Sequence, residues 1–179
     1  MYILASLLLF GVFLRTYQLD RALGGGDESA ALLEFAYTPM DYILTPVGDP
    51  RFWNWSMGYG FDQIFSNVVL RVMVLLFGEE NTVAIRFPAF VLGIACIWMV
   101  YKIARQIFSS NEVARLALLI IALSPIHIYY SQTARGYSFI MFFSTLSIYA
   151  TLKLLKTDKY FIWGLVLFLS GILSVYTIP

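Results

Sequence analysis

The chain has 179 residues, 60% hydrophobic and 13% charged, with a mean hydropathy of +0.76 and a formal net charge of +1. Soluble domains carry about 25% charged residues, so the composition excludes an ordinary water-soluble fold, and near-neutrality excludes bulk attraction to nucleic acid. The only cysteine, Cys96, lies in an apolar run. It rules out an intramolecular disulfide or a cysteine-built metal cluster and reads as a small packing hydrophobe.

The apolar residues fall in long runs, as expected for membrane spans of about 17–25 residues. The spacing predicts an all-α, polytopic helical membrane protein with about five transmembrane helices, over residues 2–17, 87–103, 113–130, 137–155 and 161–178. The apolar core of the first span ends at Leu14, and Arg15 is expected to snorkel toward the head groups. A basic n-region and an A-x-A-like site are missing, which favours an uncleaved span over a signal peptide.

Beyond that span, Gly24-Gly25-Gly26 leads into the adjacent carboxylates Asp27 and Glu28. A charge at the bilayer centre costs about 2.5–3.5 kcal/mol on insertion scales, so acids gather where water or function holds them. The residues alone favour a solvated loop over a chemical centre, because acids are ordinary in loops.

The pair belongs to a long polar stretch from Gln18 to about Arg86. Within it, residues 61–77 have helical periodicity, with Ile64, Phe65, Val68, Val72, Leu75 and Leu76 on one side. Asp62, Gln63, Ser66, Asn67 and Arg71 fall elsewhere, and Gly78 is a natural C-cap. This predicts an amphipathic juxtamembrane helix lying in the interface plane, within a long first extracytoplasmic loop. With that helix on the surface, Lys102, Arg105, Arg115, Lys153, Lys156 and Lys159 share one side, which the positive-inside rule makes cytoplasmic. Arg135 breaks the rule, in a short outer turn.

In that turn, Pro125 follows Ser124 and loosens the third span. His127, with no second His or Cys nearby, reads as an interfacial hydrogen-bonding residue rather than a metal ligand. Tyr129, Tyr130 and Tyr137 suit an aromatic interface belt, and Ser131, Gln132, Thr133 and Arg135 supply polar groups at head-group depth. An arginine fork there matches a phosphate. Composition alone favours an interfacial cap whose arginine meets a lipid head group.

The run Ser124-Pro125-Ile126-His127-Ile128-Tyr129-Tyr130-Ser131-Gln132-Thr133-Ala134-Arg135-Gly136-Tyr137 resembles the S-P-x-H-x-x-Y-S-Q-x-A-R-x-Y stretch of GT-C fold glycosyltransferases. These polytopic enzymes are related to protein O-mannosyltransferases and lipid A aminoarabinose transferase. Two further segments resemble the family in the same order. Arg15-Thr16-Tyr17-Gln18-Leu19-Asp20, followed by Asp27-Glu28-Ser29, is similar to its end of helix one and acidic pair. Leu76-Phe77-Gly78-Glu79 through Ile85-Arg86-Phe87-Pro88 is similar to its passage into the second span. The resemblance covers nearly the whole chain but only the beginning of the family's domain, so residues 1–179 are expected to be an N-terminal part of it. Thr133 stands where relatives often carry an acid, and the family's Pro-Pro-Leu-Tyr element is absent.

The resemblance implies transfer of a sugar from a polyprenyl-phosphate donor to an extracytoplasmic protein, lipid or glycan acceptor, with inversion. It implies Asp27 as general base, with Glu28 orienting the acceptor or serving as a secondary acid. Arg135 would meet the donor phosphate, with Gln132, Tyr137 and Arg86 in support. No resident cofactor is called for, and the question of a divalent metal stays open. The enzyme would sit in the cell membrane among its lipids. The competing reading is a non-catalytic polytopic protein, a transporter subunit or accessory factor. Transporters place ionisable residues near the midplane, whereas here the charges gather at the outer surface.

Overall fold

A computed structural model of the chain describes residues 2–23, 26–36 and 63–178, the side chains of Asp27 and Glu34 excepted. The described residues form eight helices and no strand. They are α1 (Tyr2–Thr16), α2 (Asp27–Phe35), α3 (Ile64–Phe77), α4 (Thr82–Phe108), α5 (Asn111–Leu123), α6 (Pro125–Ser131), α7 (Tyr137–Leu154) and α8 (Tyr160–Thr177). Among them α4, α7 and α8 are long and apolar enough to cross a membrane, and α5 with α6 makes a fourth if the bent pair counts as one span. At 15 residues, α1 rises about 22 Å, short of a hydrocarbon layer of about 30 Å.

The longest helix, α4, is the centre of the bundle. It starts where the Asn81 side chain accepts from Ala84 N (3.1 Å) and stops at Ser109, in the left-handed conformation. Its buried stripe runs Ile85, Ala89, Gly93, Cys96, Ile97 and Ala104, the spacing of one helical face. Along it pack α1, α3, α5, α6 and α7, while α8 packs on α7. The α7–α8 seam includes a hydroxyl pair, Ser147 Oγ to Ser170 Oγ at 2.7 Å. Cys96 is buried in α4 with its Sγ 3.8 Å from Thr145 Oγ1, as a small packing residue.

Over the expected third span the helix is broken. Ser124 is extended, and α6 leaves α5 at 63°. Pro125 has no N–H for the Ile121 carbonyl, so the ladder ends there. The exposed carbonyls of Ile121 and Ala122 do not go unsatisfied. Arg15 Nη2 donates to Ile121 O (3.2 Å) and Nη1 to Ala122 O (3.1 Å). The same guanidinium reaches Gly11 O (2.9 Å), His127 Nδ1 (2.7 Å) and, through Nε, Ser131 Oγ (3.3 Å). Arg15 therefore does not snorkel. It is fully buried, and its five N–H donors fill the break in the neighbouring helix. His127 is likewise interior rather than interfacial, and because an arginine only donates, its Nδ1 is the acceptor.

A helix forms over the predicted stretch as α3, with Gly78 as its C-cap. Ser66, Asn67, Leu70 and Val74 are buried, while Val72, Leu75, Leu76 and Phe77 are exposed. A periodic pattern defines two faces without saying which one meets protein. The inward side is mixed: Gln63, Ser66 and Asn67 are buried together with Leu70 and Val74, and Phe65 and Val68 pack beside them.

Close approach of α4 to α6 depends on Gly93. A Cβ at that position would fall on Ser131 Oγ and lie 2.7 Å from Ser131 Cβ. Ser131 cannot swing away, because its hydroxyl donates to His127 O at 2.6 Å and accepts from Arg15. Gly93→Ala is expected to cost about 1–3 kcal/mol, as overpacking does, measured as a lower melting temperature of the protein in detergent. An unchanged melting temperature would contradict this packing.

Candidate functional site

The site is built where the end of α1, the start of α2, the start of α4 and the 132–136 turn meet. Residue types alone give no hint that Glu28 and Arg86 are partners, since 58 positions separate them. Arg86 Nε donates to Glu28 Oε1 and Nη2 to Oε2, both at 2.8 Å. This is the bidentate fork geometry that makes an arginine–carboxylate pair strong. Burial is nearly complete, with Arg86 0% and Glu28 7% exposed. The other Arg86 donors go to carbonyls of the α1–α2 connection. They are Leu19 O (2.8 Å), Arg21 O (2.6 Å) and, more weakly, Ala22 O (3.4 Å). All five N–H groups of Arg86 are thus engaged within the protein.

Glu28 also reaches the turn. Its Oε1 accepts from Ala134 N at 2.8 Å, one residue before Arg135. The acidic segment, the root of α4 and the Arg135 turn are therefore joined through one carboxylate. Asp27 opens α2 at a backbone position next to Glu28, and its side chain lies outside the described residues.

Gln132 closes α1. Its Nε2 faces the carbonyls of Leu14 (3.2 Å), Arg15 (3.1 Å) and Tyr17 (2.7 Å), which a helix end leaves without partners. Its Oε1 accepts from Arg21 Nη1 at 3.3 Å. Arg135 is almost fully buried, and its backbone N–H donates to Thr133 O at 2.8 Å. Tyr137 stacks on Tyr130, with ring centroids 4.3 Å apart. Gly136 is wedged between elements: its N–H donates to Gln63 Oε1 (2.9 Å), and a Cβ would lie 2.9 Å from Thr177 Cγ2. The turn is thereby gripped by α3 and the end of α8 as well as by Glu28.

Of the six residues singled out from the sequence, Glu28, Arg86, Gln132 and the backbone around Arg135 converge through the contacts above. Tyr137 joins them at the first residue of α7. Sequence reasoning passed over the Arg15–His127–Ser131 cluster behind the turn. Its signal was available in part: His127 and Ser131 are four apart on a helix beginning at a proline, after an arginine at the end of an apolar run. Among the described residues, no three His, Cys, Asp or Glu side chains gather to hold a metal ion.

The fold and site define a polytopic, all-helical membrane protein with a buried acid–arginine pair latched onto a polar turn. Residues 64–178, more than half of the chain, match the family model described as dolichyl-phosphate-mannose-protein mannosyltransferase. The chain belongs to that family, as the 124–137 stretch led one to expect, and is a mannosyltransferase-like glycosyltransferase of the GT-C type. It is an integral membrane protein. Arg86 and the turn lie inside the matched residues, whereas Asp27 and Glu28 precede them. Searches of curated proteins and of solved structures returned no match.

Proposed function

We propose that the protein moves a sugar from a polyprenyl-phosphate donor to an acceptor on the extracytoplasmic face of the cell membrane, with inversion at the anomeric carbon. In this reading five spans cross the membrane, formed by α1, α4, the bent pair α5–α6, α7 and α8. α3 lies at the interface with its apolar face in lipid. The observation that carries the proposal is the Glu28 carboxylate, bonded at once to Arg86 and to Ala134 N beside Arg135. It ties the acidic segment to the arginine turn.

Asp27 is the general base, taking the proton of the acceptor hydroxyl as its oxygen attacks the anomeric carbon. Glu28 and Arg86 position it. Two of the roughly four lone-pair sites of Glu28 lie on Oε2, where Arg86 is its partner among the described residues, and the second site orients the acceptor. Arg86, with every N–H engaged, acts on the donor only through Glu28 and the backbone it holds. Arg135 stabilises the departing lipid phosphate, with Tyr137 and the Gln132 end of the turn fixing its place. Donors aimed at developing charge are worth about 10²–10³ in rate each. The protein acceptor implied by the family description is the first to be tried.

Two experiments test this reading. Arg135→Lys is expected to raise the donor KM about tenfold or more, since one ammonium cannot reproduce a bidentate fork. An unchanged donor dependence would remove Arg135 from the phosphate site. For sidedness, cysteines placed at Asn54 and at Lys156 in a Cys96→Ala background should react with an impermeant maleimide from opposite faces. Labelling from one face would overturn the span arrangement.

A further inference from the structure

The five cations Lys102, Arg105, Lys153, Lys156 and Lys159 do more than mark one side of the membrane. They line one cavity of about 520 Å³, between the C-terminal ends of α4 and α7 and the start of α8. From Arg86 to Gln106, which also lines it, α4 rises about 30 Å on helix geometry. That equals a hydrocarbon layer of about 30 Å, so the cavity sits at the membrane face opposite the candidate site.

Among the described residues none of the five forms an ion pair with a carboxylate, although Arg105 lies within electrostatic reach of Glu112 and its Nη1 donates to Ser109 O at 3.4 Å. Lys102 Nζ lies 4.9 Å from the Trp98 ring centroid and Lys153 Nζ 5.4 Å from that of Tyr149. Lys156 Nζ donates to Gln106 O at 2.8 Å, while Gln106 Nε2 is buried with no partner among the described residues. Ammonium groups held over rings keep their remaining N–H donors for another acceptor.

The aromatic wall, with Tyr149 and Trp163 edge to face at 5.6 Å, is of the kind that marks a membrane interface. Beside it Leu155, Tyr160, Phe161 and Ile162 are all exposed. A phosphate-bearing ligand bound here would meet cations in the cavity and apolar surface along the outer face of α8. A free anion would use only the first.

We propose that this basic cavity between the ends of α4, α7 and α8 binds the headgroup of an anionic phospholipid, with the acyl chains along α8. Basic pockets between helices on the positive side are suited to such headgroups. The site is separate from sugar transfer, and its test does not depend on that activity.

The full chain is placed in nanodiscs of phosphatidylglycerol or of phosphatidylcholine, and lipids kept after extraction are counted by native mass spectrometry. One phosphatidylglycerol per chain should be retained, and the protein should melt higher than in phosphatidylcholine. Lys102→Gln with Lys153→Gln should weaken retention at least tenfold. Lys159→Gln alone should weaken it several-fold, and serves if the double variant does not fold. Arg115→Gln, at the same membrane face but outside the cavity, should change nothing. Equal retention of phosphatidylcholine, or an equal loss with Arg115→Gln, would overturn the proposal. Inorganic phosphate that raises the melting temperature as much as phosphatidylglycerol would replace the lipid by a free anion, and overturn it too.

Discussion

Replacing Asp27 with asparagine is expected to lower sugar transfer by about 10²–10⁴-fold, the range that general-base help contributes. The amide keeps the size of the carboxylate and much of its hydrogen bonding but cannot take the acceptor proton. Asp27 is the first residue of α2, beside the Glu28 that is locked to Arg86. The substitution should therefore leave that lock, membrane insertion and the melting temperature intact. A loss of rate together with a loss of stability would mean a structural role. Full activity in Asp27→Asn would end the base assignment.

Arg86→Gln should have the largest effect on stability. Removing one partner of a buried ion pair leaves the other charge uncompensated, at a cost of about 3–5 kcal/mol. Here the loss extends further, because Arg86 also holds the carbonyls of Leu19, Arg21 and Ala22. The melting temperature of the purified protein should fall sharply. Removing the second charge as well, in Glu28→Gln with Arg86→Gln, should recover part of the stability, since no charge is then stranded. Activity should not return with it, because Arg86 no longer holds the α1–α2 connection and the acidic segment to the root of α4. If Arg86→Gln melts with the parent, the pair does not hold this site together.

Much of the fold was legible because its signals are local. The long apolar run over residues 87–103 and the Lys102–Arg105 end announce the span inside α4 without reference to any other part of the chain, although the helix starts earlier, at Thr82. Pro125 announced the weak point in the third span. What fills that weak point was not legible. Arg15 reaches the carbonyls of Ile121 and Ala122 across more than 100 positions, and an arginine after an apolar run looks the same whether it turns toward lipid head groups or toward protein. The periodicity of α3 announced a helix but not which residues meet protein: Phe65 and Val68, read on one side with Val72, Leu75 and Leu76, pack against buried residues of other helices.

The candidate site divides in the same way. The 124–137 stretch is contiguous, so its resemblance to a glycosyltransferase motif could be read directly, and the family match over residues 64–178 agrees with it. That Glu28 is held could not be read, because its partners Arg86 and Ala134 lie 58 and 106 positions away.

The central claim is that a base on the acidic segment and a phosphate clamp on the Arg135 turn serve one reaction. Initial rates of labelled sugar transfer, followed against donor concentration in the membrane-embedded protein, test it most directly. The account predicts that Asp27→Asn lowers kcat with little change in donor KM, while Arg135→Lys raises donor KM. If the two variants alter the same constant alike, or if neither alters either, the acidic segment and the turn are not the base and clamp of one site.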